Sequence, residues 1–337
     1  MKIDFGNVIT AMVTPFKTDK ELTVDLDTTV KLANHLIQNG TDTLLLTGST
    51  GEDAQLSSNE KWDILKTVRQ NTPAGTRILV STGDTNTGRA IDKAKKAFDL
   101  GADAVLVSVP EYIKPPQQAL EIHFNAIAKA IAPHPVMIYN IPGRTGSEIL
   151  PDTVMSLAYR NSNIIGIKQS FGNLDRVSEM TGHRYANTWR SDFQIYSGDD
   201  SLTLPMLALG AKGVISVASH LQGNLIQQMI QEFKAGHVEN ARKIHQGIFP
   251  LFKALFVETN PLPIKEALYQ KGMIESPVCR TLGEMSPWNK RELSRILKIF
   301  DHPKSCRHTP TDNEEFISAQ VHKLNLLCGA LKRSKQI

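Results

Sequence analysis

The stretch Asn163-Ile164-Ile165-Gly166-Ile167-Lys168-Gln169-Ser170 begins with five residues of which four are apolar or glycine. It is too short for an ordinary helix, and a near-continuous apolar run is the pattern of a strand buried on both faces of a parallel sheet. The run closes on Lys168. An ammonium group is seldom buried without a partner, and one stripped of water gives up its proton more readily, leaving an amine that can act as nucleophile or base. The same residue also fits a strand end that simply meets solvent. The sequence on either side has to decide between the two.

Seven further short runs of this kind occur, at Val8–Val13, Thr43–Thr47, Arg77–Ser81, Ala104–Val109, Pro135–Asn140, Phe193–Ser197 and Gly213–Val217. Between them lie segments with helical spacing of apolar residues: Leu26–Gln38, Asn59–Gln70, Gly88–Leu100, Gln117–Ala132, Pro151–Tyr159, Asn173–Thr181 and Ser201–Leu209. Strands alternating with helices imply βαβ units and a parallel sheet, and eight such units predict an α/β fold of the (β/α)8 TIM-barrel type. The rival, a doubly wound open sheet, carries a glycine-rich phosphate turn after its first strand. Here that turn is Val13-Thr14-Pro15-Phe16-Lys17, without glycine. Helix starts are expected near Thr23, ahead of Asp25 and Asp27, and at Ser58, with Asp199 and Asp200 capping a helix from Ser201.

After Val217 the pattern turns all-helical, through Ile226–Ala235, Val238–Phe252, Pro263–Lys271 and Lys290–Phe300. The expected division is a barrel over 1–223, a small C-terminal helical domain over 224–300, and a linker with one extra helix, Glu314–Lys332, over 301–337. Composition agrees with a soluble globular protein: 41% hydrophobic and 21% charged residues in 337. The net charge of +4 is interleaved apart from a short basic tail, so no nucleic-acid partner is expected. Three widely spaced cysteines, Cys279, Cys306 and Cys328, lack metal-ligand spacing and read as free thiols. No run approaches the roughly 20 apolar residues that cross a bilayer, and the first residues lack a signal-peptide core, so a cytoplasmic protein is expected.

Barrel enzymes work at the carboxyl ends of their strands. Those ends read Thr14-Pro15, Gly48-Ser49-Thr50-Gly51-Glu52, Thr82-Gly83, Pro110-Glu111-Tyr112, Tyr139 to Gly146, Lys168, Gly198-Asp199-Asp200 and Ser219-His220. They hold hydroxyls, glycines, two tyrosines, an arginine and the lysine, and no cluster of metal-ligand type. Singly, each has a plain structural reading: a βα turn at Gly48–Gly51, a core tyrosine at Tyr139, a solvated Arg144. Together they suit Schiff-base formation with a 2-oxo acid, in which Lys168 is the nucleophile and Tyr139 shuttles protons. Strand alternation puts Lys168 on the side of Ile164 and Gly166, where glycine would leave room for substrate.

These motifs, with Ile164–Lys168, Ser197-Gly198-Asp199-Asp200, Gly213–Val217 and Phe256-Val257-Glu258-Thr259-Asn260-Pro261, resemble the 4-hydroxy-tetrahydrodipicolinate synthase (dihydrodipicolinate synthase) family. That family lies in the pyruvate-dependent class I aldolase superfamily, which includes N-acetylneuraminate lyase. The resemblance spans roughly residues 5 to 295. It implies a lyase of lysine and diaminopimelate biosynthesis that condenses pyruvate with L-aspartate 4-semialdehyde through a lysine imine, with no separate cofactor. Lys168 matches the Schiff-base lysine, Tyr139 the proton-transfer tyrosine and Ser49 the relay hydroxyl. Tyr112 matches a second tyrosine that reaches a neighbouring subunit's site in a homodimer or homotetramer. Thr50 matches the pyruvate-carboxylate position, Arg144 the site for the aldehyde's carboxylate, and Gly198 and Ile215 line the pocket.

The departures are Ser49 for the usual threonine, Gln169 for glutamate and Glu111 for tyrosine. At the family's lysine-inhibitory site the chain holds Glu111, Ser58, Lys61 and Arg89, so lysine is expected not to inhibit. Two other readings stay open: an aldolase or lyase acting on a sugar-derived 2-oxo acid such as N-acetylneuraminate, which Ser49 and Gln169 favour, and a non-catalytic metabolite-binding barrel.

Overall fold

The structure is a computed structural model that describes residues 4–182 and 192–300. The expected linker and helix of 301–337, with Cys306 and Cys328, lie outside the described residues. Eight parallel strands close into a barrel in sequential order. They are β1 (Val8–Ala11), β2 (Thr43–Leu46), β3 (Arg77–Ser81), β4 (Ala104–Ser108), β5 (Val136–Asn140), β6 (Ile164–Gln169), β7 (Gln194–Ser197) and β8 (Gly213–Ser216). Every run read as a strand is one, so the (β/α)8 architecture follows from the buried, two-faced character that parallel strands require. Around them lie α1 (Leu26–Gln38), α2 (Ser58–Asn71), α3 (Thr87–Asp99), α4 (Gln117–Ile131), α5 (Pro142–Thr145), α6 (Pro151–Arg160), α7 (Asp175–Gly182) and α8 (Thr203–Ala208). Four more helices follow: α9 (Ser219–Lys234), α10 (Val238–Ala254), α11 (Leu262–Gln270) and α12 (Pro287–Phe300).

The apolar side chains form two layers. The larger packs strands against helices, through residues such as Leu36, Leu44, Ile78, Val107, Phe124, Ile167 and Val214. The smaller fills the barrel axis with Phe5, Ile9, Leu45, Leu79, Leu106, Met137, Tyr139, Tyr196 and Ile215. A side chain therefore has one of two addresses, and strand alternation assigns it.

At β6 the alternation is interrupted. Val136 pairs with Ile164 but Met137 pairs with Gly166, so Ile165 is an extra residue in the ladder. The bulge puts Ile164 and Ile167 in the outer layer and turns Ile165 toward the inner one. This corrects the expectation that Ile164 shares a side with Lys168. Gly166 also has a different reason from substrate room: a Cβ there would lie 2.3 Å from the Gln194 carbonyl oxygen on β7. It is glycine because a neighbouring backbone passes too close for a side chain.

The helices α1 and α2 start at Leu26 and Ser58 as expected, while the capping residue in each is the one just before, whose side chain reaches the backbone three residues on. Asp25, not Thr23, caps α1 by accepting from Thr28 N at 2.9 Å. Ser57, not Ser58, caps α2 in a reciprocal box with Glu60. The helix after β8 begins at Ser219 rather than Ile226, kinks at Gln222 and packs beside α1, α8 and α10, completing the outer ring.

Candidate active site

The register of β5 and β6 pairs Tyr139 directly with Lys168. Both side chains are buried at 6% exposure, and the Lys168 ammonium nitrogen stands 4.4 Å from the centre of the Tyr139 ring. Lys168 makes no hydrogen bond and no ion pair among the described residues. A buried amine over an aromatic face, with no hydrogen bond to hold it, is a candidate for chemistry more than for structure.

Asp199 and Asp200 face the same lysine electrostatically, and burial pushes both carboxyls above the usual range. The expected capping role of this pair is corrected. Neither caps the short turn Asp200–Leu202, and Asp200 turns inward instead. It accepts hydrogen bonds from Ser216 Oγ, from Val217 N at 3.1 Å and from Ala218 N at 3.0 Å. A fully buried carboxylate thus ties the end of β7 to the end of β8 and the start of α9.

His220 does similar work across the β8–β1 seam. Its Nδ1 donates to the Val217 carbonyl at 2.8 Å and its Nε2 accepts from Val13 N at 3.1 Å. That pattern needs a neutral ring, and burial holds its pKa down from 6.5 to about 4. The histidine is structural and does not reach the reacting centre.

The turn after β2 is built for close approach. Thr47 and Glu52 adopt left-handed φ of 50° and 59°, and a Cβ at Gly51 would lie 3.0 Å from the Met12 carbonyl. Thr50 is buried, and its Oγ1 accepts from Asn260 Nδ2 at 2.9 Å. The Asn260 carbonyl in turn accepts from Arg144 Nη2 at 3.0 Å. One residue outside the barrel therefore joins Thr50 and Arg144, the two side chains expected to hold carboxylates. Glu52, next in the turn, is gripped by Lys265 Nζ at 2.8 Å and by Arg280 N at 3.0 Å.

Other expected members are differently placed. No hydrogen bond joins Ser49 to Tyr139 among the described residues. The Ile215 side chain is fully buried in the axial core. Gly198 is confined by what stands above it: a Cβ there would lie 1.7 Å from Ser170 Oγ and 3.1 Å from Lys168 Cε. Tyr112 is 91% exposed in a left-handed conformation, φ 69°, outside its own barrel mouth. Gln169 faces away from the site. Its Oε1 accepts from Asn140 Nδ2 at 3.1 Å, behind Tyr139 and Lys168.

Sequence reasoning passed over Asn260, Lys265 and Ser170. Asn260 and Lys265 had a signal in the Asn260-Pro261 motif and in an ionic residue within an apolar helix. Their roles depend on partners more than 200 positions away, at Thr50 and Glu52. Among the described residues no group of three or more His, Cys, Asp and Glu side chains is arranged to hold a metal ion, and no helix is long and apolar enough to cross a membrane.

A sequence profile of the dihydrodipicolinate synthetase family matches residues 4–300. The 4-hydroxy-tetrahydrodipicolinate synthase of Nostoc punctiforme is 47% identical over 299 residues, covering 88% of this chain and 98% of that protein. The crystal structure of dihydrodipicolinate synthase from Cyanidioschyzon merolae with lysine bound superposes with a TM-score of 0.83 at 41% identity, over 87% of this chain and 97% of that one. A dihydrodipicolinate synthase variant characterised as monomeric matches with a TM-score of 0.83 at 33% identity, over 87% of this chain and 96% of its own.

Proposed function

The chain belongs to the dihydrodipicolinate synthetase family and is a lyase of lysine and diaminopimelate biosynthesis, and we propose that it joins pyruvate to L-aspartate 4-semialdehyde through an imine on Lys168. The observation that carries this reading is the buried Lys168 amine, without a hydrogen bond or ion pair among the described residues and set over the Tyr139 ring at 4.4 Å. The amine attacks C2 of pyruvate, water leaves the carbinolamine, and the imine loses a methyl proton to become an enamine. The enamine carbon then attacks the aldehyde carbon, and the amine of the semialdehyde displaces Lys168 as the product ring closes. Every step before closure moves a proton, which suits a phenol at Tyr139 relayed through Ser49 and through Tyr112 of a neighbouring copy.

Thr50 would take the pyruvate carboxylate and Arg144 that of the semialdehyde, the guanidinium offering the bidentate fork such a group prefers. Gly198 and Ile215 would bound the pocket, and no separate cofactor is required. The high exposure of Tyr112 supports a homodimer or homotetramer in which it serves a partner's site. The reading assigns catalysis to the barrel, expected over 1–223 and carried past that boundary by α9 to Lys234, a helical domain to the residues that follow up to 300, and a cytoplasmic setting.

We further propose that lysine is not an inhibitor. Its basis is narrower than charge repulsion, because Lys61 and Arg89 are each paired, with Asp53 at 2.7 Å and Asp84 at 2.8 Å. What remains is Glu111 and Ser58. Initial rates that fall strongly with sub-millimolar lysine would defeat this part.

An aldolase acting on a sugar-derived 2-oxo acid is the second reading, favoured by Ser49; Gln169 no longer favours it, since it faces away from Lys168. A coupled assay comparing aspartate semialdehyde, N-acetylneuraminate and sugar 2-oxo acids separates the two. Turnover with the semialdehyde alone is expected, and turnover only with a sugar acid would overturn the proposal.

A further inference from the structure

Four buried hydroxyls have no hydrogen-bond partner in the described structure: Thr47, Thr82, Ser147 and Ser170. Ser170 differs from the others in its company. It lies two residues beyond Lys168 on the same strand line, and its backbone is fixed by a bond from Ser170 N to the Asn140 carbonyl at 2.9 Å. Its Oγ and the Lys168 Cε stand over the same glycine, at 1.7 Å and 3.1 Å from where a Cβ of Gly198 would be. Gly198 is itself held by a bond from its N–H to the Gln169 carbonyl at 2.8 Å, so this floor does not yield. A buried hydroxyl left unsatisfied is costly, and one beside a reacting amine is most simply kept for a ligand atom.

The direction it serves follows from the barrel. β2 and β6 lie opposite one another in the closed order of eight strands, so a pyruvate bound between Lys168 and Thr50 has its carboxylate across the axis from Ser170. Two residues of extended chain carry the Ser170 backbone roughly 6 to 7 Å farther toward the carboxyl-end mouth than the Lys168 backbone, and the long lysine side chain spans that offset, so the two side-chain ends meet at one level over Gly198. With the pyruvate carboxylate drawn across the axis to Thr50, the group left to meet the Ser170 hydroxyl is one on the molecule that adds beside Lys168. From this we infer that Ser170 is a substrate-orienting residue of the second half-reaction, its hydroxyl donating a hydrogen bond to the aldehyde oxygen of the incoming semialdehyde. The inference rests on the functional reading above. The new carbon–carbon bond turns that oxygen into a hydroxyl, and a donor beside it stabilises the negative charge that builds up on the way. No covalent bond to Ser170 forms.

The test is the Ser170→Ala variant of the full chain, read two ways. Borohydride trapping of the pyruvate imine should proceed as in the parent, with half-saturating pyruvate changed by no more than about twofold. Half-saturating semialdehyde should rise, and kcat/KM for it fall, by about three- to tenfold, the loss expected for one hydrogen bond. Trapping or pyruvate saturation impaired alongside the aldehyde would overturn the assignment, because the hydroxyl would then serve the first half-reaction or the packing. Unchanged kinetics for both substrates would overturn it as well. Absence of an adduct in the parent chain would instead defeat the underlying Lys168 reading, and the two failures are told apart by that control.

Discussion

Among the described residues two lysines are buried, and their surroundings are opposite. Lys265 is fully shielded, donates to Glu52 at 2.8 Å and to the Val278 carbonyl at 2.8 Å, and stands 4.0 Å from the Phe16 ring centre. Burial lowers its pKa while Glu52 works to restore it. Lys168 is nearly as buried and, among the described residues, donates to no carboxylate or carbonyl; it has the Tyr139 ring at 4.4 Å and feels Asp199 and Asp200 only through space. Lys265 has its donors engaged, so it contributes to holding α11 and the turn after β2 together. Lys168 has donors to spare at the carboxyl end of β6, which is what the proposed reactivity needs. Burial alone does not mark a reactive lysine; lack of partners within reach of substrate does.

Mutation can break this contrast from either side. Lys168→Ala is expected to lower kcat by at least about a thousandfold, as removal of a covalent nucleophile does, while the midpoint of urea unfolding stays near that of the parent. Lys265→Ala should do the reverse. Leaving Glu52 buried and unpaired costs about 3 to 5 kcal/mol, measurable by denaturant titration, and adding Glu52→Gln should return part of it. Equal stability losses for the two lysine variants would remove the distinction.

The contrast extends to His220, a third buried basic group that is structural. Its pKa is about 4 in the fold against 6.5 ordinarily. The unfolded chain therefore takes up the proton first as pH drops, so the stabilisation is complete above 6.5 and is lost on the way down to about 4. The loss should amount to about 3 kcal/mol. His123 and His245 are lowered in the same direction by burial. The difference in pH-dependent unfolding between the parent and His220→Gln isolates this residue, and should flatten the parent's acid limb by that amount.

The smallest effect is expected at Asn260. Asn260→Ala removes the bond to Thr50 but keeps the backbone carbonyl that Arg144 uses. Half-saturation by pyruvate should rise about three- to tenfold, with a lesser change for the semialdehyde. An effect confined to the semialdehyde would show that Asn260 acts through Arg144 instead.

The barrel was legible because parallel strands buried on both faces leave unbroken apolar runs, and Ile164–Gln169 is one of them. The places of Lys168, Tyr139 and Arg144 at or just past strand ends were legible too. What escaped was what depends on contacts between distant segments. The bulge at Ile165 cannot be read from alternation, because one extra residue reverses every side assigned before it. Asp200 resembled a helix cap locally and became a strap only once β8 lay beside it. Gln169 follows the reactive lysine in sequence, yet the pleat sends its side chain to the opposite face, onto Asn140. Asn260 and Lys265 acquire meaning only when α11 docks on the turn after β2.

The central claim is that Lys168, and not the more deeply buried Lys265, forms an imine with pyruvate. It is tested most directly by incubating the full chain with pyruvate and borohydride and mapping the adduct by peptide mass. The account predicts a reduced pyruvate adduct on the peptide that contains Lys168 and none on the peptide that contains Lys265. An unmodified Lys168, or an adduct on Lys265 in its place, would contradict it.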